Sequence, residues 1–235
     1  MAKRRRTSGI QRRERASSEA LNRRIDAGAT GGGGASLPDW RLLAIGGVLL
    51  IGVILIVLVV IFGGSPPEFA GTEQPNDGGA HTQPGVDCRD PAMQNAGTNC
   101  GTDPYSSIPA TSGPHWDPSA LANWGAYSTP QPETQLIHSL EHGGIVIWYD
   151  PDALEEAEIE ELTSFVEGQV ATGSGGRFKF ISSPWGGTED LGGAVAVTAW
   201  RHLLTLETFN MEAIRAFSDL NYQRHAPEPN GGPAP

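Results

Sequence analysis

Two cysteines and three methionines in 235 residues are few, and basic residues all but vanish after the first forty-one. The cysteine scarcity excludes a disulfide-rich scaffold and any thiolate zinc cluster of the usual tight spacing. Only Met93 and Met211 follow the long apolar segment, too few for a methionine-rich copper(I) carrier. No G-x-S-x-G elbow, P-loop or aromatic-basic stripe occurs. The acidic balance beyond residue 41, six basic against 23 acidic residues, argues against nucleic acid as a partner.

Charge and hydropathy divide the chain. Residues 1–41 hold ten Lys/Arg against four acids and read as a basic cytoplasmic tail. Residues 42–62, "LLAIGGVLLIGVILIVLVVIF", carry neither charge nor proline. As a helix they measure about 31 Å, the thickness of a hydrocarbon core, so a single transmembrane anchor is expected. The run exceeds the apolar core of a cleavable signal, and arginines before it place the N-terminus inside and the rest of the chain outside. The arginine cluster could also suit a nucleic-acid arm, but orienting a membrane helix beside anionic headgroups explains it more simply. Composition marks residues 63–80 as a disordered linker, 81–228 as an extracytoplasmic domain and 229–235 as a disordered tail.

Within the domain, the part before Tyr127 is rich in proline and glycine and shows no regular period. "GGIVIWYD" reads as a buried strand, followed by a helix starting at Asp150-Pro151 with Leu154, Ile159, Leu162, Phe165 and Val166 on one face. "GRFKFISS" and "GGAVAVTAW" read as strands, and "NMEAIRAFSDLNY" as a last helix around Ile214, Phe217 and Leu220. The order β-α-β-β-α predicts an α+β domain on a small mixed sheet. Cys88 and Cys100, alone in an oxidising compartment, are expected to pair, worth roughly 3 kcal/mol on a loop-entropy estimate.

The histidines carry the chemistry. His138 and His142 lie four apart in "PETQLIHSLEHGG", a stretch with Pro132 near its first turn, Thr129 upstream as a cap and Gly143 as a left-handed stop. One helical face would present both imidazoles. His115 sits in the turn-rich "TSGPHW" and His81 opens the domain, so His81, His115, His138 and His142 form a candidate ligand set for copper or zinc. Glu141 would orient an imidazole. The alternative is a metal-free binding or interaction module in which the same groups form a buried hydrogen-bond network, with His142 interacting with the last helical carbonyls. HSLEH also fits H-x-x-E-H, the inverted zinc-peptidase pattern, but two glycines and a strand follow at once where that chemistry needs a long helix.

"ATSGPHW", "WGAYSTPQPE", "LIHSLEHGGIVIWYDP", "VAVTAW" and "FSDLNYQRHAPE" together resemble the bacterial domain-of-unknown-function family 3105 over roughly Ala80 to Glu228. The resemblance implies a single-anchor membrane protein with an extracytoplasmic domain. It places recurrent histidines at His81, His115, His138 and His142, with Glu141 beside the last, and implies no activity. Ala110 stands where a second proline is common before TSG. "DCRDPAMQNAGTNCG" has the character of an insertion, which makes Cys88 and Cys100 a staple of this lineage.

Overall fold

The computed structural model describes residues 69–95 and 97–234; the basic tail and the apolar run 42–62 lie outside them. In chain order come four two-residue strands, β1 (Thr72–Glu73), β2 (His81–Thr82), β3 (His115–Trp116) and β4 (Gly125–Ala126). Helix α1 (Glu133–Glu141), strand β5 (Ile145–Tyr149) and helix α2 (Glu156–Val170) follow. Strands β6 (Phe180–Pro184), β7 (Val195–Ala199) and β8 (His202–Leu206) precede the last helix, α3 (Met211–Asn221).

The sheet is mixed, in the order β1-β8-β7-β5-β6-β4. β5 runs parallel to β6 and antiparallel to β7, so it is paired on both edges. Its side chains alternate between two separate cores. Ile145, Ile147 and Tyr149 face α2 and α3 with Leu162, Phe165, Val166, Ile214 and Phe217. Val146 and Trp148 face α1 with Leu136, Ile137 and Leu140. A strand covered on both faces must be apolar throughout, which is why IVIWY has no polar member. The fold is α+β, with helices on both faces of the sheet.

Several boundaries differ from the sequence expectation. α2 begins at Glu156, not at Asp150, because Asp150 accepts from the Asp152 and Ala153 amides in a turn of its own. Glu155 then caps the helix, its side chain exchanging bonds with Glu158 in a capping box. β8 goes unread in the sequence because no turn residue announces the hairpin: Trp200 and Arg201 form its two-residue loop, with Arg201 at φ 58°. Composition makes residues 63–80 and 229–235 linker and tail, yet the described parts of both are tied to the fold. Thr72 and Glu73 pair with Leu203 and His202 at the sheet edge. The Pro229 and Gly231 carbonyls accept from the buried Lys179 ammonium at 2.7 and 2.8 Å, and that of Pro233 from the Trp124 indole at 3.0 Å. Polar main chain, not apolar side chains, does the fastening, so hydropathy carries no trace of it. Cys88 and Cys100 form the expected disulfide.

Candidate metal centre

α1 starts without the expected cap: Pro132 occupies the N-cap position, and no bond comes from Thr129. The Glu133 side chain turns away to accept from Arg89 and from the Ala110 amide. The far end closes as the glycines predict. Gly143, at φ 82°, donates to the Leu140 carbonyl and Gly144 to that of Ser139, the paired bonds of a Schellman stop. Helical geometry therefore ends at Glu141 and leaves His142 as the C-cap.

Within α1, His138 and Glu141 are three apart and share a face. Opposite them lie β2 and β3, a parallel pair in which His81 is registered against His115. The His115 and Asp117 amides donate to the Ala80 and Thr82 carbonyls at 2.9 and 2.8 Å, fixing that register. Gly79 allows the approach: a Cβ there would stand 3.1 Å from a Glu141 oxygen.

One ligand atom from each of His81, His115, His138 and Glu141 lies within 4.8 Å of all the others. The three Nε2 atoms surround a single oxygen, Glu141 Oε2, at 3.1 Å from His115 and 3.9 Å from both His81 and His138. His115 is fully buried and His138 nearly so, whereas the His81 side chain is 47% exposed, so the group opens to solvent on the His81 side.

The protons decide what this arrangement can do. His115 Nδ1 lies 2.8 Å from the Gly113 carbonyl and His138 Nδ1 2.5 Å from that of Trp116. A carbonyl oxygen only accepts, so both Nδ1 atoms carry hydrogen and donate. Neutral imidazoles then turn bare Nε2 lone pairs toward a carboxylate that is also an acceptor. Acceptors converge on acceptors, an arrangement that either a proton on Nε2 or a metal cation satisfies.

The shifts in pKa follow the same geometry. Burial is the main cause that pushes His138 down to about 4, with His115 and His142 adding to it against the Trp116 carbonyl and Glu141. Burial alone would raise Glu141, but the His115 bond and the charges of His115, His138 and His81 together hold it below the usual carboxylate value. His138 is thus held as neutral imidazole and Glu141 as carboxylate, the forms that bind metal.

Of the four histidines expected as ligands, three come together and His142 does not. Its Nδ1 lies 3.2 Å from the Glu228 carbonyl, beneath residues Glu228–Gly232. Glu141, expected to orient an imidazole, offers the fourth candidate ligand atom of the group. His142 keeps its amide bond to the His138 carbonyl and its ring lies 4.7 Å from that of His138, but its Nδ1 is engaged by the C-terminal segment. The inverted zinc-peptidase arrangement needs His142 on the metal and Glu141 free as base, and the positions of both residues oppose it.

A family model described as "Protein of unknown function (DUF3105)" matches residues 98–234, a span that includes His115, His138, Glu141 and His142 but not His81. No curated protein and no solved structure matches the chain.

Proposed function

The chain belongs to the family of proteins of unknown function DUF3105, and from that premise and the geometry of the centre we propose that its outer domain binds a transition metal, copper(II) or zinc. The observation that carries the reading is the paired tethering of His115 and His138 through Nδ1, which aims two Nε2 lone pairs at Glu141. A main-chain carbonyl on the far nitrogen is the usual support of a metal-bound imidazole.

The spacing fits. Zinc bonds of about 2.0–2.1 Å at tetrahedral angles separate donors by about 3.3 Å. The His115–Glu141 pair at 3.1 Å already meets this, the two 3.9 Å separations close by about half an ångström, and the remaining donor pairs, all within 4.8 Å, close by up to about 1.5 Å. Three nitrogens and one carboxylate oxygen suit zinc or copper(II).

The uncharged stretch 42–62 and its basic flank support a location of the domain outside a membrane. The Cys88–Cys100 disulfide supports an oxidising compartment. Protease added to intact cells stripped of outer layers should remove the domain and spare the first forty residues; digestion of the tail instead would reverse the orientation.

One observation favours a second reading. At 3.1 Å the His115–Glu141 pair is short enough to hold a proton, making the group a metal-free hydrogen-bond network that fixes β2 and β3 on α1. Titration of demetallated protein with zinc and copper(II) separates the two. Stoichiometric binding should be abolished by His115→Ala, His138→Ala and Glu141→Gln and kept by His142→Ala. Absence of binding in the wild type leaves the network as the account.

A further inference from the structure

His81 differs from the other three donors. It lies half exposed on a two-residue strand, while His115, His138 and Glu141 are buried. The β2–β3 bonds hold the carbonyls of Ala80 and Thr82 but leave that of His81 itself to other partners.

They come from the segment closed by the disulfide. Asn99 Nδ2 donates to the His81 carbonyl at 3.0 Å. The other end of the segment is fastened to the start of α1: the Cys88 amide donates to Thr134 Oγ1 at 3.4 Å, and Arg89 grips both oxygens of Glu133 at 2.5 and 3.0 Å. Arg89 also donates to the Ser107 carbonyl at 2.7 Å. The segment thus joins the strand that carries the exposed donor to the helix that carries two buried ones. The disulfide holds its ends at a Cα separation of 5.3 Å. Without it, the ten residue steps from Arg89 to Asn99 could span about 33 Å, and the second anchor would no longer locate the first.

We propose that Asn99, braced by the Cys88–Cys100 disulfide, is the residue that positions His81 in the metal centre. The proposal rests on the metal reading above. Asn99 touches no metal; it acts through the His81 main chain. Its φ of 60° lies in the left-handed region, so Asn99→Gly removes the side-chain donor without straining the backbone.

The test is zinc affinity of the demetallated full chain in detergent, measured against a competing chelator. The set is wild type, His81→Ala, Asn99→Gly, the His81→Ala/Asn99→Gly pair and Cys88→Ser/Cys100→Ser. Loss of one net hydrogen bond should weaken binding about three- to tenfold in Asn99→Gly. On the His81→Ala background the same substitution should cost nothing more, which a general loosening of the fold would not produce. The double serine variant should bind at least as weakly as Asn99→Gly. The copper(II) spectrum of Asn99→Gly should report two imidazoles where the wild type reports three. Normal wild-type binding with an unchanged Asn99→Gly, or an equal loss on both backgrounds, would overturn this proposal alone. A wild type that binds no zinc would overturn the metal reading and this proposal with it.

Discussion

Acidification should destabilise the metal-free protein through His138. The imidazole is buried between α1 and β3, and burial pushes it down to about 4 from an ordinary value near 6.5. Between those values the unfolded chain binds a proton that the folded chain refuses, so stability is full above about pH 6.5 and falls as pH drops toward 4. At 1.36 kcal/mol per pH unit, the loss across the interval is at most about 3 kcal/mol, levelling off below it. For a urea slope of about 2 kcal/mol per molar, that moves the unfolding midpoint down by up to about 1.5 M. The assay is urea unfolding of demetallated protein at several pH values, wild type against His138→Gln, whose amide does not titrate in this range. The wild-type midpoint should fall more steeply than that of the variant between pH 6.5 and 4. Parallel curves would refute the argument, since every other titrating group is common to both proteins.

Other perturbations test other parts of the structure. Phe217→Ala empties a fully buried site between α3 and the sheet and should cost about 3–5 kcal/mol, read as a lowered unfolding midpoint. Lys179→Met leaves the carbonyls of His142, Pro229 and Gly231 without their donor, so the Glu228 and Gly231 amides should exchange hydrogen faster while those of β5 stay protected. Unchanged exchange at Glu228 would mean that the lysine does not fasten the C-terminal segment.

What could be read from the sequence was what has a period or a local stop signal. β5 announces itself as a bounded apolar run, α2 and α3 as amphipathic faces, and the end of α1 as a pair of glycines. β2 and β3 could not be read. Each is two residues long, and their pairing brings His81 against His115 across a gap that only tertiary contacts close. The candidate ligands His81, His115 and His138 stood out by residue type, but the choice between Glu141 and His142 is geometric. Positions three and four along a helix are both neighbours of the first, and only the tertiary contacts, His81 and His115 at Glu141 and the C-terminal segment at His142, distinguish them. Asn99 and Lys179 were beyond reach for a different reason: each acts on a main-chain carbonyl, and carbonyls leave no mark on composition.

The central claim is the identity of the donor set, and X-ray absorption on the full chain loaded with one equivalent of zinc tests it most directly. The account predicts a four-coordinate ion with three imidazole nitrogens and one carboxylate oxygen, bonds of about 2.0–2.1 Å, and an unchanged spectrum in His142→Ala. A fourth imidazole that disappears in His142→Ala would contradict it, as would zinc that dialysis removes at neutral pH.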